Sequence, residues 1–221
     1  MSSGLLGART WPELERRRQR LLAVPLGATE QHGPHLPLDT DTRVALALAE
    51  RLAAARPDAL VAPPLPYGSS GEHEGFPGTL SIGQEAIELL VVELVRSSAP
   101  WAEAVVLVSG HGGNAEPLLR AERRLVREGR RVLAWSPRLR DDDAHAGRAE
   151  TSLVLALAPQ HVRTERAEAG NVEPLPALID EIRRRTVRGV SANGVLGDPT
   201  GASAEEGRAL LDRMAEELVH A

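Results

Sequence analysis

A few short segments of this sequence concentrate residue types that hold metal ions or move protons. The first is Glu30-Gln31-His32, followed nine residues later by Asp41, directly after the apolar run Leu21–Leu26. In extended backbone, residues two apart point to the same side, so Glu30 and His32 can reach one ion or two neighbouring ions. Asp41 then opens the next helix, and a loop folded by Pro34 and Pro37 returns it to the strand end. Carboxylate and imidazole donors suit zinc, manganese or iron(II). A carboxylate bridging two ions about 3.5–4 Å apart is typical of two-metal hydrolytic sites. The bland alternative is a polar loop in which Asp41 merely caps a helix.

The second segment is Ser109-Gly110-His111-Gly112-Gly113-Asn114, at the end of the clearest strand pattern in the chain. His111 is expected at the carboxyl edge of a sheet, level with the first segment. Asn114 is expected to cap the following helix, whose N-terminal N–H groups favour an anion or a developing oxyanion. The alternative is an ordinary strand–turn–helix with a satisfied histidine. The third segment, Asp143 to Thr151, holds His145 and Glu150 just before a very apolar helix. A carboxylate entering a buried helix needs a partner, such as a metal or a metal-bound histidine; otherwise Glu150 is a first-turn residue favoured by the helix dipole. The fourth, Tyr67 to Thr79, puts the only Tyr and the only Phe on one glycine-rich loop. Those rings either wall a substrate or tuck into the core edge.

The elements that must position these residues follow from hydrophobic period. Leu21–Leu26, Ala59–Ala62, Ala104–Ser109 and Arg131–Ser136 read as strands. Arg43–Ala55, Glu85–Arg96, Ala115–Glu128, Glu150–Ala158 and a last helix beginning at Ser203 read as helices. Ser203 and Glu206 are spaced as a capping box, with Leu210, Met214 and Leu218 on the inner face. Continuous apolar strands alternating with helices predict an α/β fold with a mainly parallel sheet covered on both faces. The loops Thr29–Thr40 and Pro63–Thr79 then fall at strand ends, where α/β folds place their sites. No linker or internal repeat divides the chain, so residues 1–221 are expected to form one domain. The charge runs Glu15–Arg20 and Glu181–Arg185 read as solvated helix faces.

Composition narrows the chemistry. The absence of cysteine excludes thiolate ligands, a cysteine nucleophile and disulfides. Ser69, Ser70 and Ser109 lack the G-x-S-x-G setting of a serine nucleophile. A net charge of −5 argues against a general nucleic-acid binder. Neither a secretory leader nor a membrane-length apolar run is visible, so a cytoplasmic protein without membrane contact is expected.

Taken in order, Glu30-Gln-His32-Gly-Pro-His-Leu-Pro-Leu-Asp39-Thr-Asp41, Phe76-Pro-Gly-Thr79, Gly110-His111-Gly-Gly-Asn114 and His145-Ala-Gly-x-x-Glu150-Thr151 resemble the creatininase family of amidohydrolases over nearly the whole chain. The resemblance implies a three-layer α/β/α sandwich, a homohexamer and two divalent ions per chain (zinc, iron(II) or manganese). It implies one ion on the residues matching Glu30, Asp41 and His111, and a second on those matching His32 and Asp41, with Asp41 as bridge. The family's last ligand to the second ion is a glutamate at the position of Gly113, so another residue must serve here, and Glu150 is the candidate. His145 matches a residue implicated in catalysis, and with Glu150 it forms the expected catalytic pair. Tyr67, Ser70, His73 and Phe76, with Gly112 and Gly113, are expected to line the substrate cleft.

Two further stretches, Tyr67–Thr79 and Gly194-Val-Leu-Gly-Asp-Pro-Thr200, resemble the branch of the family that trims a modified precursor peptide in the biosynthesis of a redox cofactor. That implies a crosslinked, Val–Tyr-derived end as the released product. No counterpart is visible of the tryptophan pair that encloses creatinine in the family. Another small amide, creatinine or a formamide included, is the alternative substrate. A non-catalytic metal-binding subunit is the alternative of a different class.

Overall fold

The structure, a computed structural model, describes residues 4–15, 19–140 and 143–221. Strands β1 (Gln19–Leu26), β2 (Ala59–Val61), β3 (Ala102–Ser109) and β4 (Val132–Trp135) form a parallel sheet in the order β2-β1-β3-β4. Leu22 pairs with Val105 and Leu26 with Ser109, so β1 and β3 end level with each other. The segments that follow them therefore leave the sheet at one edge.

Alternation along these strands sends side chains to two apolar layers. Leu22, Val24, Leu26, Val105 and Leu107 meet Ile87, Val91 and Val95 of α3 (Gln84–Ser98) and Leu118, Ala121 and Leu125 of α4 (Ala115–Arg127). On the other face, Ala23, Val61, Val106 and Val108 meet α2 (Thr40–Ala55), α5 (Arg148–Leu157) and α7 (Ala204–His220). The result is the expected three-layer α/β/α sandwich. A short helix α1 (Trp11–Glu15) precedes the sheet, and α6 (Leu175–Val190) kinks at Thr186, whose φ is 62°. Glu181–Arg185 lies on α6, its three arginines largely exposed. Residues 16–18 of the other charge run lie outside the described residues. No described helix is long and apolar enough to cross a membrane.

Several local expectations need correction. Asn114 makes no cap bond to α4. Its side chain accepts from Ser69 N (3.0 Å) and donates to Gly27 O (3.1 Å), tying the 63–79 loop to the end of β1. Only half of the capping box at α7 is made. Ser203 Oγ accepts from Glu206 N (3.1 Å), but the Glu206 carboxylate turns to Arg148 Nε (2.8 Å) and Ser152 Oγ (3.1 Å). On α7 Leu211 is buried with Met214 and Leu218, whereas Leu210 is only partly so.

Candidate metal centre

Five of the seven histidines are buried, and four of them meet three buried carboxylates at the carboxyl ends of β1 and β3. Glu30 and His32 come from the segment after β1. Asp41 lies in the first turn of α2, which rests on the strand ends. A Cβ at Gly110 would collide with the carbonyl oxygen of Asp41, so the contact requires glycine there. His111 follows β3. The third contribution, His145 and Glu150, arrives just before and within α5.

Two groups of donors share Asp41. In one, Glu30, Asp41 and His111 bring ligand atoms within 4.8 Å of one another; in the other, His32, Asp41 and Glu150 do the same. His111 Nδ1 is 3.3 Å from both Glu30 Oε1 and Asp41 Oδ2, while His32 Nε2 is 2.9 Å from Asp41 Oδ1 and 3.9 Å from Glu150 Oε2. A further grouping within the same limit is Glu30, His32 and His145. The backbone fixes the imidazoles. His32 Nδ1–H donates to the Glu30 carbonyl (3.2 Å), and His111 Nε2–H donates to the Ser69 carbonyl (2.9 Å). Each ring therefore presents its other nitrogen, with a free lone pair in the neutral form, to the carboxylates.

This donor set fits divalent ions. Both carboxylate oxygens of Glu30 and Oδ2 of Asp41 are fully buried without a hydrogen bond. Leaving buried anionic oxygens unpaired is costly, and a cation at the cluster removes that cost. The protonation equilibria of the bare chain express the same demand. Burial pulls the His32 imidazole down, but the Asp41 carboxylate reverses this and holds it up at about 10. His111 also stands well above its ordinary value, because Glu30 and Asp41 outweigh its burial. Burial would raise Asp41, yet His32 and His111 hold it far below the usual carboxylate range. Protons on the two imidazoles thus occupy the place of positive charge. Glu150 is pushed up to about 7 by burial, although its Oε2 accepts from Ala146 N (2.5 Å). Ala146 has a positive φ of 53°, a strained conformation that turns its N–H onto Glu150.

On the other side of Glu30 stand His73 and His145, with ring centroids 4.4 Å apart. Burial, reinforced by His32 and then by His73, pushes His145 well below its ordinary value, and burial takes His73 to about 4. Both are neutral at pH 7. Glu30 Oε1 lies 3.2 Å from His73 Nε2 and 3.9 Å from His145 Nδ1.

The remaining expected cleft residues divide. Ser70 is buried, its Oγ 3.5 Å from His111 Nε2. Gly112 has open space beside it. At Gly113 a Cβ would meet Glu72 Oε1, Ser69 O and His111 Nε2, so a ligand side chain at this position has no room. Tyr67 is 47% exposed on the rim. Phe76 takes the second of the two placements open to it: it packs with Leu178, Val187 and Leu196 at the core edge, under the Arg188 guanidinium.

Three nearby residues lie outside the sequence-based site. Glu72, raised by burial, sits 3.6 Å from His111 Nε2. His35 is buried, with Nε2 2.8 Å from Thr151 Oγ1. Gln31 stands between His73 and His145. The only sequence signal for them was position inside the motifs already singled out, between or beside residues with metal-ligand chemistry.

Comparison with known proteins adds a family. Residues 8–221 match the creatininase family model, described as creatinine amidohydrolase. A mycofactocin precursor peptide peptidase of Mycolicibacterium smegmatis is 51% identical over 200 residues, covering 88% of this chain and 81% of that protein. Among solved structures, a tryptophan-to-phenylalanine variant of creatininase superposes with a TM-score of 0.83 at 29% identity, covering 100% of this chain and 97% of that one. A structure described as creatininase with manganese gives 0.79 at 29% identity, over 98% of this chain and 96% of the other.

Proposed function

The chain belongs to the creatininase family, and on that premise we propose that it is a two-metal hydrolase that cuts a peptide bond of a modified precursor peptide, as its half-identical relative is named for doing. The observation that carries this reading is the pair of donor groups sharing Asp41, with buried carboxylate oxygens left unpaired between them. In the proposal Glu30, Asp41 and His111 hold one ion, and His32, Asp41 and Glu150 the other, so that Glu150 supplies the ligand Gly113 cannot. Ions bound there would acidify a water and polarise the scissile carbonyl.

The protein's own residues then do the rest. His145, neutral and beside Glu30, takes up a proton and delivers it to the leaving amine. Tyr67, Ser70, His73, Gly112 and Gly113 border the space a substrate enters, and Phe76 supports that wall from behind. Leu80 and Ile82, both exposed, adjoin the same loops through the Thr29–Leu80 and Gly68–Ser81 bridges. An apolar rim of this kind suits a peptide better than a compact polar ring such as creatinine. The reading includes zinc, iron(II) or manganese as the ion, a hexameric assembly and a cytoplasmic setting.

Incubating the metal-loaded protein with the modified precursor peptide, creatinine and a formamide, with mass detection, tests the substrate. Release of the crosslinked Val–Tyr-derived end is the expected result. Turnover of creatinine or formamide alone moves the chemistry to a small amide. A chain that holds no metal and cleaves nothing is a scaffold.

A further inference from the structure

The segment Gly194–Thr200 has no part in the chemistry so far, yet it touches the site at two points. Leu196 N donates to the His145 carbonyl (2.8 Å) and His145 N donates to the Leu196 carbonyl (3.1 Å). The Gly194 carbonyl is 3.0 Å from Gln31 Nε2. Gly194 has φ +80°, and a Cβ there would collide with the Gln31 amide oxygen. The segment closes on Gln31 and His145 together.

Counting donors and acceptors around Gln31 leaves one solution. Its Oε1 accepts from Gly33 N (2.8 Å), which fixes which end of the amide is nitrogen. Nε2 then has two hydrogens and three neighbours: Gly194 O (3.0 Å), His73 Nδ1 (2.8 Å) and His145 Nε2 (3.0 Å). The Gly194 carbonyl can only accept. His145 Nε2 also lies 2.8 Å from the Gln31 backbone carbonyl, which again can only accept, so His145 carries its hydrogen on Nε2. The second amide hydrogen therefore goes to His73 Nδ1, and His73 carries its own on Nε2, facing Glu30 Oε1 at 3.2 Å. Nδ1 of His145 is left with a lone pair on the side of Glu30, 3.9 Å away.

We propose that Gln31, clamped by Gly194, is a positioning residue that sets the ring tautomers of His145 and His73: a lone pair on His145 Nδ1 toward the carboxylate cluster, and an N–H on His73 Nε2 toward Glu30. Resting on the hydrolase reading, this makes Nδ1 the working atom of His145. As water oxygen bonds to the carbonyl carbon, its proton passes to Nδ1, and the same proton moves to the amine nitrogen as the C–N bond breaks. The His73 N–H meanwhile lies on the side of Glu30 Oε1, 3.2 Å away.

The test is a long-range 1H–15N spectrum of the zinc-loaded full chain with 15N-labelled histidine. The wild-type chain should show the Nε2–H form at both His73 and His145. Gln31→Glu has only acceptors, so His73 should switch to the Nδ1–H form while His145 keeps its own. In that variant kcat should fall by about tenfold to a hundredfold, with KM and zinc content unchanged. Gln31→Met, of similar volume and without the added charge, should give His73 as a tautomer mixture with a similar fall in kcat. An Nδ1–H form at His145 in the wild-type chain overturns the proposal. So does a His73 tautomer unmoved in both variants, or a loss of kcat that tracks loss of zinc. A wild-type chain with the stated tautomers but no amide turnover would sink the hydrolase reading and leave the tautomer assignment standing.

Discussion

Two pairs of buried histidines meet at Glu30, and they differ in charge: one pair is cationic in the bare chain, the other neutral. His32 and His111 stand against Asp41 and are held protonated in the bare chain, His32 up to about 10. His73 and His145 stand against each other and the neutral Gln31 amide, and both are held neutral. Burial is almost the same for all four, so it does not separate the pairs. The balance of partners does: Asp41 and Glu30 outweigh desolvation at His32 and His111, whereas at His73 the pull of Glu30 is met by the neighbouring His111 and His32, and at His145 the neighbouring imidazoles add to desolvation. In the proposed mechanism, one pair exchanges its protons for metal and the other moves protons during the reaction.

The most damaging way to disturb that contrast is Asp41→Ala. It removes the carboxylate common to both donor groups, and metal content and turnover should vanish together when measured by elemental analysis and peptide cleavage. Full turnover in that variant would falsify the two-metal reading. His145→Ala acts on the other pair. Its kcat should fall by roughly a hundredfold to ten-thousandfold while both ions remain bound. Parallel loss of an ion would instead place His145 among the ligands, in the grouping it makes with Glu30 and His32. Glu150→Gln should weaken one ion selectively, by about tenfold to a hundredfold in affinity, leaving the other in a chelator competition.

A gentler probe is pH. In the metal-free chain the folded state holds protons more tightly than the unfolded state at His32 (about 10 against 6.5) and at Glu150 (about 7 against 4.5). A group whose folded pKa is raised stabilises the fold below its unfolded value, and that stability is lost as pH rises through the folded one. Stability lost through Glu150 up to pH 7 is offset by His73 and His145, whose folded values lie below the unfolded 6.5, so the melting temperature of metal-stripped protein should fall from pH 7 to pH 9, chiefly through His32. Restoring metal should abolish the fall, since deprotonated ligands are the ones a metal binds. An equal slope with and without metal would show that other groups set the pH dependence. The smallest change lies outside both pairs. Ser203→Ala removes the cap of α7 and should cost about 1 kcal/mol, a lowering of Tm by about 2–4 °C, with kcat untouched.

Much of this molecule was determined by the sequence alone. Short continuous apolar runs and helical spacings placed the strands and most helices within a few residues, because apolar faces must be buried whatever the topology. Glu30, His32, Asp41 and His111 declared themselves by ligand chemistry at strand ends. His145 and Glu150 did so by the oddity of charge before an apolar helix. Tertiary structure decided what those residues meet. Asn114 has the right type and place for a helix cap, but the end of β1 and the 63–79 loop, 87 and 45 residues away in sequence, claim its amide. Gln31 is an ordinary polar residue until His73, His145 and Gly194 arrive from 42, 114 and 163 residues along the chain. Gly113 appears as a missing ligand in sequence; in space, Glu72, Ser69 and His111 fill its side-chain volume. Residue type and local spacing set which protons and metals a side chain can hold. Partner and charge state follow from distances between segments far apart in the chain, and those exist only once the sheet has brought two strand ends level.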